Sequence, residues 1–311
     1  MEPDGQQTGV LAQTPTTPFV RSSFGNQLFG ILNYASERDP VPVAIEPDGT
    51  WINLGAPIPR DQFVDAMGAA GGGSWALVTV PSTCTKASRA TLALGAGSGT
   101  HVLATLPAVA GVWQLISFNA GGIVLQALIC SMPGGVIATE LVNPDTGTVT
   151  DLAALLGAGC SFVGLSDSGV LLCLEQSDTR EADFKTVDPS GAVHPYQFPV
   201  DATYCTGNET SLEIVPDAIS NDARYIAVSD YCKYPGENGA RQQLLIIDTA
   251  TGAVSRGPTN LYLEPEMWLP DDQLVVAEPT LDGDYPSGTW IVAPDGTSRT
   301  LSGTAVAQES G

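Results

Sequence analysis

Helical signals are almost absent from the 311-residue chain, a glycine-bearing turn recurs six times, and a second hairpin precedes every copy of it. Together these observations predict an all-β fold, a single β-propeller of six four-stranded blades. One four-stranded sheet cannot bury both of its faces, so stacking on neighbours gives each blade its core. The one helix-like stretch, residues 151–156 (DLAALL), is stopped within two turns by Gly157 and Gly159.

The recurring turn occupies residues 46–49 (EPDG), 97–99 (GSG), 143–147 (NPDTG), 188–191 (DPSG), 248–252 (DTATG) and 293–296 (APDG). Its glycines are Gly49, Gly99, Gly147, Gly191, Gly252 and Gly296, spaced 44 to 61 residues apart. Glycine suits such turns because they often need positive φ. Each turn follows an apolar run of strand character: 43–45, 90–94, 141–142, 184–187, 244–247 and 290–292. The second hairpin begins 24 to 32 residues before each glycine, at 25–29, 71–75, 119–123, 166–170, 220–225 and 270–274. Two hairpins per unit make four strands. The blades are expected at 17–57, 58–108, 109–156, 157–200, 209–258 and 259–303, between a flexible segment 1–16 and a tail 304–311. A pair of β-sandwich domains joined at 200–209 is the competing architecture, and regular double-hairpin spacing on both sides of that segment argues against it.

Residues 219–229 (ISNDARYIAVS) resemble the S-P-D-G-R-Y-I-A hairpin of TolB-like and WD40-like propeller repeats, with Asn221 and Ala223 where that pattern has Pro and Gly. Residues 269–277 (LPDDQLVVA) are a weaker copy, and the Gly-His and Trp-Asp pair of true WD40 blades is absent. The resemblance implies architecture and transfers no activity, because propellers host enzymes, binders and scaffolds.

Acidic residues number 34 against 12 basic ones, a formal charge of -22. Such a surface repels phosphate backbones and anionic lipid, which disfavours nucleic-acid and membrane-surface roles. Cations, sugars or a basic protein partner are compatible ligands; acidity for solubility or salt tolerance is the plainer explanation. No Asp, Glu, Lys or Arg occurs from 90 to 139, but Pro107, Pro133 and paired glycines cut this stretch into strand-sized pieces, so it reads as buried sheet rather than a membrane span.

Six cysteines, Cys84, Cys130, Cys160, Cys173, Cys205 and Cys232, form an even set without a CxxC pair. They favour disulfides and a secreted or extracytoplasmic setting over buried free thiols in the cytosol. The expected pairs are Cys84 with Cys130, Cys160 with Cys173 and Cys205 with Cys232, with other connectivities open. Residues 1–9 carry neither a basic start nor an apolar run, so no signal peptide is visible and export would place the leader upstream of Met1.

Within a blade, the first-to-second and third-to-fourth turns share one end, and here they are short. The opposite end carries long segments, 34–40, 81–88, 175–183, 230–241 and 278–288, with inter-blade loops 54–65 and 200–210. Function tends to sit on long loops, so this face is the expected site, and all six cysteines fall on or near it. Tyr204, Tyr231, Tyr234, Tyr262 and Tyr285 are its expected ligand-binding residues, for protein or carbohydrate; scattered surface tyrosines are the alternative. Glu264, Glu266, Asp230 and Asp282 are candidate acid and base groups for a carbohydrate-active hydrolase or lyase, weighed against plain surface carboxylates. Asp282 and Asp284 have a spacing that offers oxygens to Ca²⁺, though without the rest of a loop motif a solvated acidic turn is the plainer explanation; no other cofactor is expected. His101 and His194 both follow third-to-fourth turns, away from that face, which disfavours Ser-His-Asp and His-metal chemistry. Trp51, Trp75, Trp113, Trp268 and Trp290 fall at strand positions and are expected to pack between blades. The expectation is a monomeric recognition module, with an enzyme as the alternative.

Overall fold

In a computed structural model of the chain, the residues described are 19–24, 27–32, 39–45, 50–69, 73–81, 86–96, 99–130, 135–157, 160–175, 183–197, 209–213, 219–233, 240–258, 263–269, 271–278 and 288–300. They form six four-stranded antiparallel sheets, each from consecutive strands. Blade 1 comprises β1 (Phe19–Phe24), β2 (Gln27–Leu32), β3 (Val41–Ile45) and β4 (Trp51–Asn53). Blade 2 comprises β5 (Gln62–Gly68), β6 (Ser74–Pro81), β7 (Thr91–Ala96) and β8 (Gly99–Thr105). Blade 3 comprises β9 (Val112–Asn119), β10 (Gly122–Leu128), β11 (Val136–Val142) and β12 (Val149–Asp151). A single helix, α1 (Leu152–Leu156), follows it. Blade 4 comprises β13 (Cys160–Leu165), β14 (Leu171–Glu175), β15 (Asp183–Val187) and β16 (Val193–Gln197). Blade 5 comprises β17 (Glu209–Glu213), β18 (Tyr225–Lys233), β19 (Ala240–Asp248) and β20 (Val254–Arg256). Blade 6 comprises β21 (Glu264–Trp268), β22 (Leu274–Glu278), β23 (Gly288–Val292) and β24 (Ser298–Thr300).

The chain divides into two compact units between Leu155 and Leu156, with three blades in each. In the first unit, β6 shows why blades stack. Alternate side chains of a strand point to opposite faces. Trp75 and Leu77 join Ile31, Ala44 and Val64 in one core, while Ala76, Val78 and Val80 join Trp113, Leu115 and Leu125 in another. In the second unit β18 behaves likewise: Ile226 and Val228 pack with Leu172 and Phe184, and Ala227 packs with Trp268 and Leu274. Central strands therefore read as continuous apolar runs rather than as alternation.

The recurring turns are as expected in four blades. Gly147, Gly191, Gly252 and Gly296 have φ of 69°, 83°, 70° and 86°. Gly99 differs: it opens β8 opposite Ala96 and has no positive φ. Gly49 lies outside the described residues. The tryptophans split. Trp75, Trp113 and Trp268 are buried and Trp290 packs against the core that holds Trp268, whereas Trp51 on the outer strand β4 is 43% exposed. No described helix is long and apolar enough to cross a membrane.

Candidate functional site

The short-turn ends of blades 3 to 6 are built alike. At the short-turn end the backbone is held by side chains of the turn itself. Asp188 accepts the N–H groups of Ser190 and Ala192 and the Ser190 hydroxyl, and that hydroxyl, followed by the Ala192 amide, holds its carboxyl below the usual range. Asp295 takes the hydroxyl and N–H of Thr297, with the same downward effect. Asn143 accepts from Asp145 and Thr146, and Asp248 from Ala250 and Thr251. These are Asx-type turns, in which the polar side chain replaces a missing backbone partner.

The first-to-second hairpins of blades 4, 5 and 6 share one geometry. Gly169, Ala223 and Asp272 each donate their N–H three residues back, to Ser166, Ser220 and Leu269, with φ of 82°, 64° and 59°. Ala223 thus occupies the glycine place of the hairpin pattern at positive φ. Arg224 ties this hairpin to the next turn: its guanidinium meets Asp248 at 3.3 Å and lies 5.1 Å from the Tyr225 ring centroid. A shallow depression of about 300 Å³ at this end of blade 3 is lined by Gly121, Leu141, Asn143 and three threonines. Asn143 is engaged by the turn backbone, and Thr146 and Thr148 hydrogen-bond each other at 2.9 Å, so little polar capacity faces outward.

The candidates for binding and chemistry are expected at the other end. Four of them sit in strands rather than loops. Asp230 and Tyr231 lie in β18, opposite Gln243 and Gln242, so the segment between β18 and β19 is 234–239 instead of 230–241. Glu264 and Glu266 lie in β21, where the register shifts between Pro265 and Met267 and makes Glu266 the bulged residue. The same shift in the first strand occurs in blades 1, 3 and 4, so it is a feature of the blade. Tyr204, Tyr234, Tyr262, Tyr285, Asp282 and Asp284 lie outside the described residues. Among the described residues no three His, Cys, Asp or Glu side chains are grouped to hold a metal. His101 and His194 lie in β8 and β16, early in fourth strands, both exposed.

The disulfide Cys160–Cys173 links the start of β13 to β14, with Cα atoms 5.7 Å apart. This is the expected pair. Cys130 is also disulfide-bonded. Cys84 and Cys205 lie outside the described residues, and no side-chain placement is described for Cys232.

Sequence reasoning missed two buried carboxylates. Asp65 on β5 is 3% exposed and accepts the N–H of Leu115 on β9 at 2.9 Å. Glu140 on β11 is 6% exposed and stands opposite Asp151 on β12; burial first, then the Asp151 charge, raises its carboxyl above the usual glutamate range. The signal available for Glu140 was its place as the first charged residue after the uncharged run 90–139.

No protein-family model matches the chain, and no curated protein matches it. Solved structures match in fold. An oligogalacturonate lyase in complex with manganese aligns with a TM-score of 0.50 and 11% identity, over 81% of this chain and 70% of that one. A prolyl endopeptidase aligns with a TM-score of 0.53 and 14% identity, over 94% of this chain and 44% of that one. TolB from Acinetobacter baumannii aligns with a TM-score of 0.47 and 16% identity, over 90% and 64%. The chain thus spans under half of the endopeptidase chain and under two thirds of the TolB chain. At these identities the likeness concerns fold alone, and that fold is the β-propeller with six four-stranded blades.

Proposed function

We propose that the chain is an exported recognition module that binds a protein or carbohydrate ligand through the long-loop ends of its blades. The observation that carries this reading is the asymmetry of the blades. In blades 3 to 6 one end is fixed by Asx-type turns whose polar groups are already used, while in every blade the connection between second and third strands is longer than the turn between third and fourth. Short satisfied turns are scaffold, and longer connections tend to carry function. The disulfide Cys160–Cys173 supports an oxidising compartment.

The enzyme reading draws on Glu264 and Glu266, brought to one strand by β21. Electrostatics weigh against a polyuronate substrate such as an oligogalacturonate, because a chain of charge -22 repels a polyanion. The test is a glycan array and a peptide array probed with the purified chain, then repeated after replacing residues 234–239 by a Gly-Ser loop and, separately, after Asp188→Ala. Binding lost in the loop variant and kept in Asp188→Ala supports the reading. Binding that follows Asp188→Ala instead, or cleavage of an arrayed glycan, overturns it.

A further inference from the structure

Blade 3 differs from its neighbours along the outer flank of its third strand. In blades 1, 2 and 5 the chain leaving the fourth strand goes on to hydrogen-bond with the third. Leu54 donates to the carbonyl of Pro42, Leu106 to that of Ala90 and Gly257 to that of Leu244, each at 2.9 Å. In blade 3, β12 stands opposite only Glu140, Leu141 and Val142. The chain then turns into α1, capped by Asp151, whose Oδ1 accepts the N–H of Ala153 at 2.9 Å and of Ala154 at 3.4 Å. No other backbone hydrogen bond among the described residues reaches the outward edge of 136–139. Val136 and Ile137 on this edge are 49% and 43% exposed.

Glu140 stands where this uncovered edge meets β12. Glu140 is 6% exposed, its carboxyl has no hydrogen-bond or ion-pair partner among the described residues, and the group opposite it is another carboxylate, Asp151. The uncharged run from 90 to 139 supplies β7, β8, β9 and β10, so the strands packed on this side of the blade bring no Lys or Arg. Two carboxylates held opposite each other repel, and a cation from another molecule would relieve that repulsion. A free strand edge is also a template for an added strand.

We propose that the uncovered edge of β11 docks an extended segment of a protein partner, in which a Lys or Arg flanked by apolar residues meets Glu140 and Asp151. The added strand would pair with 136–139, its apolar side chains covering Val136 and Ile137. This rests on the recognition reading and narrows it to a basic peptide at one blade.

The probe is a fluorescein-labelled heptapeptide alternating valine and threonine around a central lysine, with a twin carrying glutamate at the centre. Anisotropy with the full chain should show the lysine peptide binding at least roughly tenfold more tightly than its twin. Glu140→Gln with Asp151→Asn should lose about the same factor, with thermal melts confirming the fold. Val136→Lys, on the exposed edge, should weaken binding while leaving both carboxylates in place. Hydrogen exchange should slow at 136–139 when the lysine peptide is bound. Equal affinity of wild type and variants, which marks generic attraction to an acidic protein, overturns the proposal, as does unchanged exchange at 136–139. If neither peptide binds while the arrays still give a ligand lost on replacing 234–239, this inference falls and the recognition reading stands.

Discussion

The carboxylate of Asp65 on β5 accepts the backbone N–H of Leu115 on β9 at 2.9 Å, joining blades 2 and 3 across fifty positions of chain. Its other oxygen meets the N–H of Ala66 at 3.1 Å. Because the group is 3% exposed, removing it strands amide donors that water cannot reach. Asp65→Ala should cost about 1–3 kcal/mol of unfolding free energy in urea titrations, with Asp65→Asn recovering part of the loss.

Ala223 and Asp272 hold φ of 64° and 59° at the place where Gly169 holds 82°. Side chains pay roughly 1–2 kcal/mol for the left-handed region, partly offset by the greater freedom glycine has when unfolded. Ala223→Gly should therefore raise the melting temperature. An unchanged or lower melting temperature would refute the shared-turn geometry.

At Gly147 a side chain faces two penalties. The φ is positive, and an added Cβ would collide with the backbone carbonyl oxygen of Leu103. At Gly191 the φ is 83° but nothing lies nearby. Gly147→Ala should therefore destabilise more than Gly191→Ala, with the second costing about 1–2 kcal/mol and the first more. Equal effects in parallel denaturation curves would show that the Leu103 contact is unimportant.

Cys160–Cys173 closes a short loop, with a sequence separation of 13. Loops of that size are worth about 3 kcal/mol of stability. Cys160→Ala with Cys173→Ala should lower stability by roughly that amount, and mass spectrometry after alkylation without reductant should find both cysteines of the wild type unalkylated. Free, alkylatable thiols at both positions would remove the support for export.

Glu140 and the turn aspartates should pull stability in opposite directions with pH. A carboxyl raised in the folded state favours the protonated fold, so Glu140's contribution is full below its unfolded pKa and is lost as pH rises through the folded one. Asp188 and Asp295 are lowered; theirs is present above the unfolded pKa and lost as pH falls through the folded one. Glu140→Gln should lessen the decline on the alkaline side, to which Asp272, also raised by burial, contributes, while leaving the acid limb intact. Melting curves from acidic to neutral pH check this, and an unaltered profile counts against it.

The fold was legible because its punctuation is local. Asn143, Asp188, Asp248 and Asp295 bond to their own turns, so the residues that make the turn are the residues that announce it. Strand length was less legible. β18 and β19 run nine residues each, past the apolar stretch that packs, and their polar ends resemble loop. That is why Asp230, Tyr231 and Arg241 were assigned to a connection. The bulge at Glu266 was illegible for a related reason, since a bulge is a register event between two strands and leaves no pattern in either alone. Asp65 and Leu115 were beyond reach because nothing local says which distant amide a buried carboxylate will meet.

All four strands of every sheet come from one unbroken stretch of chain, with no strand exchanged between blades. Pairing is therefore short-range throughout, and order of synthesis coincides with order of assembly. A ribosome releases each sheet whole before the next begins, so no half-finished sheet waits with an open edge for a distant strand. Nascent chains stalled just beyond successive sheets should gain protease resistance stepwise; resistance arriving only at full length would show that the sheets wait for one another.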